Sequence, residues 1–89
     1  MKQIKLTGRE RSVLRVLDFS TGNTGGELLD SSRLAPEDLV DVLNGLMGPG
    51  FLEVTPFAEE TTLDGFRESR FDVNPSYAQE LRSVMANRF

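Results

Sequence analysis

Leu34-Ala35-Pro36-Glu37-Asp38-Leu39-Val40-Asp41-Val42-Leu43-Asn44-Gly45-Leu46-Met47-Gly48-Pro49-Gly50-Phe51-Leu52 is the stretch whose reading sets the architecture. Pro36 suits the first position of a helix, where its fixed φ fits and no amide hydrogen is needed. Glu37 and Asp38 follow in the first turn, at the positive end of the helix dipole. At about 100° per residue, Leu39, Val40, Leu43, Leu46 and Met47 group on one face, with Val42 at its edge. The opposite face carries Glu37, Asp38, Asp41, Asn44 and Gly45. Gly48 and Pro49 end the helix.

Toward the C-terminus, Phe51-Leu52-Glu53-Val54-Thr55-Pro56-Phe57 is rich in β-branched and aromatic residues and reads as a strand. Phe71-Asp72-Val73 alternates in the same way and pairs with it as a hairpin. Ala58 to Gly65 forms the polar connection, with Asp64-Gly65 as a turn signal. Asn74-Pro75 caps a last helix, about residues 75–88, whose face carries Tyr77, Leu81, Val84 and Met85. A helix of that length does not hold its shape alone in water, so its apolar face must dock. Its own domain and a second copy are both open as docking partners.

Toward the N-terminus, Thr24-Gly25-Gly26-Glu27 is a capping box that opens a short helix around Leu28 and Leu29. Each glycine weakens that helix by up to ~1 kcal/mol, so it needs tertiary support. Ser31-Ser32-Arg33 with Leu34 forms the tight turn out of it, and Ser20 to Thr24 is a turn or a very short strand. A second box, Thr7-Gly8-Arg9-Glu10, starts the first helix, with Val13, Leu14 and Leu17 at helical spacing and Val16 at the margin. Ile4 and Leu6 staple onto it from before the cap. The order is α-α-α-β-β-α: mostly α with a small β-hairpin, an α+β class, in one domain over 1–89.

Composition narrows the function. The chain has 89 residues, of which 38% are hydrophobic, enough for a modest core. In so lean a domain, surplus exposed apolar surface points to an interface. Ten cations against fourteen acids give a net charge of −4, which opposes non-specific binding to polyanions. Cysteine and histidine are absent. The absence removes disulfides, thiolate chemistry and the usual general base. No run approaches the ~18 apolar residues of a membrane helix, and the first residues do not look like a signal peptide. A cytoplasmic address is expected.

No motif asks for a catalyst. Glu37, Asp38 and Asp41 are too few to complete a Mg²⁺ or Ca²⁺ site; a solvated helix face explains them. Thr21-Gly22-Asn23-Thr24-Gly25-Gly26 lacks the Gly-Lys-Ser/Thr end of a phosphate loop, and turn plus cap accounts for each residue. Glu59, Glu60 and Asp64 do not fit EF-hand spacing. Neither metal nor cofactor is expected.

A short second helix turning tightly into a capped third, then a glycine and an apolar strand start, resembles the winged helix-turn-helix domain of bacterial regulators. Leu39, Leu43, Leu46, Gly50 and Leu52 carry the resemblance, which covers roughly residues 7–88. The resemblance implies a third helix laid in the major groove and a wing on the DNA backbone or minor groove. Here the third helix offers Glu37, Asp38, Asp41 and Asn44 and no Lys or Arg, and the wing adds Glu59, Glu60 and Asp64. Carboxylates there are repelled by phosphate, and only Asn44 is a usual base reader. The basic residues Lys2, Lys5, Arg9, Arg11 and Arg15 fill the N-terminal segment, with Arg67 and Arg70 on or before the second wing strand. A positive side and a negative side suit a charged protein partner or a second copy.

The expected function is therefore a non-enzymatic protein-interaction or oligomerisation module of a regulatory or accessory protein. Its candidate contacts are Glu37, Asp38, Asp41 and Asn44, with Tyr77, Leu81, Met85 and Phe89 as the docking or dimer helix. The alternative is a DNA-binding transcriptional regulator that contacts phosphates through Lys2, Lys5, Arg67 and Arg70.

Overall fold

Thr7 opens the first helix, α1 (Gly8–Val16), by a reciprocal cap. Its hydroxyl accepts a hydrogen bond from the Glu10 amide at 3.1 Å, while Glu10 Oε1 accepts one from the Thr7 amide at 2.9 Å. The same arrangement between Thr24 and Glu27 starts α2 (Gly25–Ser32). Each cap satisfies amides that a helix start leaves free. These details come from a computed structural model, which describes residues 4–86.

Arg33 ends α2 in the left-handed region, φ 62°, and the turn delivers Pro36 to the first position of α3 (Pro36–Met47). After Gly50, itself at φ 89°, the chain enters β2 (Leu52–Thr55). Pro56 lacks an amide hydrogen and stops the pairing, so the strand is shorter than the run to Phe57 predicts. Phe57 lies outside it and is 87% exposed. A long connection returns to β3 (Arg70–Val73), and α4 (Pro75–Ala86) follows.

The fold class is α+β, as the sequence predicts, but the hairpin gains a third strand. Asn23–Thr24, labelled β1, pairs antiparallel with β3, placing Asn23 opposite Phe71. On the other side β2 pairs with β3, Val54 opposite the same Phe71. The sheet order is β1-β3-β2, with Phe71 fully buried at its centre.

Beneath the sheet lies one core. It takes Val13, Leu14 and Leu17 from α1, Leu28 from α2 and Leu81 from α4. The α3 helix contributes Leu39, Val40, Val42, Leu43 and Leu46. Val42, at the edge by helical spacing, is inside, and Met47 is only half-buried.

Phe66 also belongs to the core, with no exposed surface, although it lies in the connection between β2 and β3. The connection folds back on the body rather than projecting from it. Gly25 and Gly26 donate their amides to the carbonyls of Ser69 and Arg67 at 3.0 and 3.1 Å. A Cβ at Gly25 would collide with the Phe66 carbonyl. Gly25, which weakens α2 by propensity, is thus what lets the returning chain press against the helix N-terminus, and that contact supplies the tertiary support the helix needs.

Candidate functional site

The outer stripe of α3 runs through positions 37, 41, 44 and 48, which fall within about 60° of one another at 100° per residue. Glu37 and Asp41 are exposed on it. Asp38, at the flank, faces Arg9 of α1 across an ion pair of 3.3 Å. Both partners are solvated, so the pair adds little to stability, but it satisfies one charge of each sign within the molecule. The positive and negative sides expected to seek a partner thus meet, at this point, inside one chain. Gly45 lies against the same helix, since a Cβ there would stand 3.0 Å from Glu10 Oε2.

Asn44 departs from its expected role. Its Oδ1 accepts a hydrogen bond from the Thr61 amide at 2.8 Å, and its Nδ2 donates to the Thr61 carbonyl at 3.1 Å. The side chain pins the β2–β3 connection to α3 and is not free to read a base or a partner. Thr61, inside a segment that reads as polar loop, is buried as a result. Sequence gives no sign of the pairing, because an asparagine on the polar side of a helix looks the same whether solvated or bonded.

The basic candidates differ in what they touch. Lys5 is exposed ahead of α1. The Arg70 side chain donates to the Thr21 carbonyl, and the Arg67 guanidinium lies 5.7 Å over the Phe66 ring. Arg11 reaches the other way, donating to the Val84 carbonyl of α4 at 3.2 Å. Lys2 and Phe89 lie outside the described residues.

The docking-helix candidates divide. Leu81 is fully buried in its own chain, so it is not available to a second copy. Tyr77 is half-buried, its ring edge-on to Phe51 at 5.1 Å, and Met85 is half-buried against the core.

Two carboxylates outside the α3 stripe titrate abnormally. Amides of Ser20 and Thr21 donate to Asp18 at 2.8 and 3.1 Å, stabilise its charged form and hold its pKa below the ordinary 3.8. The Thr24 amide, then the Asn23 side chain, do the same for Glu27, against the ordinary 4.5. Both belong to turn and cap geometry. Among the described residues, no group of three or more carboxylates converges as metal ligands would, and no helix is long and apolar enough to cross a membrane.

At its C-terminal end the α3 stripe runs into a groove of about 590 Å³. The last turn of α3, β2 and the segment from Phe57 to Glu60 line it. Sequence missed it because Phe57 reads as the end of a strand. Set against known proteins, the chain matches no family model, no curated protein and no solved structure.

Proposed function

We propose that this chain is a winged-helix module that binds another protein through the outer face of α3 and carries out no catalysis. The winged-helix reading is supported by the element order α1-β1-α2-α3-β2-β3-α4 and by the central place of β3 in the sheet. The observation that carries the function is the charge on the presented surface. Between Arg33 and Arg67 the chain has no Lys or Arg, while Glu37, Asp38, Asp41, Glu53, Glu59, Glu60 and Asp64 all fall there. A surface of that sign repels a polyanion and attracts a cationic protein face.

Within the stripe, Glu37 and Asp41 are the contacts, since Asp38 is paired with Arg9 and Asn44 with Thr61. The test places a photo-reactive residue at position 41, with the same residue at position 80 on the solvent side of α4 as the reference. A protein adduct formed in extract of the native host from position 41 and not from position 80 is the expected result. The adduct's mass tells a different protein from a second copy. Equal labelling from both positions, or none from position 41, removes the α3 face as the binding surface.

A further inference from the structure

The groove beside Phe57 carries a more specific inference, which rests on the protein-interaction reading and names the partner's chemistry. Consecutive residues of a strand point to opposite faces. A groove lined by Leu52, Glu53 and Val54 together therefore runs along the edge of β2 rather than over one face of it. That edge is open: β2 is the last strand of the sheet. Among the described residues, its four residues make no hydrogen bond to any segment other than β3. An edge strand of this kind presents backbone groups that can pair with another chain.

Phe57, 87% exposed, lines the groove, and burying its phenyl ring would be strongly favourable. Met47 lines the groove as well. The charged residues in the lining are Glu53, Glu59 and Glu60, and no cation is among them. A backbone edge, an apolar anchor point and an acidic rim specify one kind of occupant.

We propose that this groove receives an extended, basic segment of a partner protein. The segment adds to the edge of β2, lays an apolar side chain against Phe57 and Met47, and sets Lys or Arg against Glu53, Glu59 and Glu60. Main-chain pairing supplies part of the affinity and the alternating side chains supply the selectivity. β2 has four residues and Pro56 ends it, so the backbone contribution is limited and the apolar and ionic contacts decide the affinity.

The probe is a fluorescein-labelled peptide of about ten residues, valine or leucine alternating with lysine or arginine, titrated with the full chain by fluorescence anisotropy. Saturable binding is expected, weakened roughly tenfold or more by Phe57→Ala, as for an interface anchor, and comparably by the Glu59→Lys, Glu60→Lys pair. All three side chains are exposed, so the variants should melt with the wild type. A peptide of the same sequence with every second amide N-methylated keeps its charges and side chains and should bind about tenfold more weakly. No binding, affinity indifferent to Phe57→Ala, or equal binding of the methylated peptide each overturns the proposal. Light scattering on the protein alone provides a further check: self-association abolished by Phe57→Ala would give the groove to a second copy and overturn it too. The α3 reading is judged separately, by the position-41 adduct, which none of these variants alters.

Discussion

The Asn44 side chain closes a ring between α3 and the β2–β3 connection with two hydrogen bonds to a single residue. Removing one partner of a buried hydrogen bond leaves the other unsatisfied, at about 1–3 kcal/mol. Asn44→Ala should lower unfolding free energy by that order, and amide exchange at Thr61 should accelerate before global unfolding. Unchanged exchange at Thr61 would mean the connection holds by Phe66 and the hydrogen bonds from Gly25 and Gly26, without help from Asn44. Asp18 and Glu27 bear on pH. Both have folded pKa values below their ordinary ones, so the unfolded chain binds protons more readily in that range. Their contribution is fully present above the ordinary values of 3.8 and 4.5 and is lost as pH falls through the lower folded values. Urea midpoints measured from pH 7 down to about pH 3 should fall less steeply for the Asp18→Asn, Glu27→Gln pair than for the wild type.

At the scale of elements, α4 stands or falls by Leu81. Leu81→Ala should cost roughly 2–5 kcal/mol, the range for large-to-small core changes. Glu80→Ala, one residue away and exposed, should stay within about 0.5 kcal/mol. Denaturant unfolding separates the two, and equal effects would mean the helix is rotated from the position described. The elements with a local signature were legible in the sequence: two capping boxes, Pro36 at a helix start, and the leucine spacing of α3. What escaped had long-range causes. The sequence leaves Ser20 to Thr24 open between a turn and a very short strand, and it is the arrival of β3 beside Asn23 and Thr24 that decides for the strand. Phe66 is in the core because Gly25 leaves room for its backbone. For the candidate site, the exposed Glu37 and Asp41 were readable from periodicity, whereas the commitments of Asp38 and Asn44 depend on contacts that no window of sequence contains.

For the whole molecule, charge placement governs which partners can approach. Arg9 is paired with Asp38, Arg11 bonds to α4, and Arg70 bonds to the Thr21 carbonyl. Each of these cations is engaged within the chain, while α3 and the stretch from Pro56 to Phe66 carry acids alone. Anisotropy of a labelled random duplex at about 50 mM salt, where electrostatic binding is strong, should show no appreciable binding. A variant carrying Glu37→Gln, Asp38→Lys and Asp41→Lys should gain salt-sensitive binding. Micromolar binding by the wild type that falls steeply with salt would return the protein to the DNA-binding reading.

The middle position of β3 has one more consequence. Residues 4–56 bring β1 and β2, which do not pair with each other, and residues 61–86 bring the strand that joins them, together with Phe66 and Leu81. Neither piece can complete the hydrophobic interior alone, and every residue from Pro56 to Glu60 is exposed, where a protease specific for glutamate can cut. A chain nicked at Glu59 or Glu60 should therefore travel as a single non-covalent particle on gel filtration, its two fragments parting only in denaturant. Were they to elute separately in plain buffer, a peptide bond on the surface, and not the sheet, would be holding the two halves together.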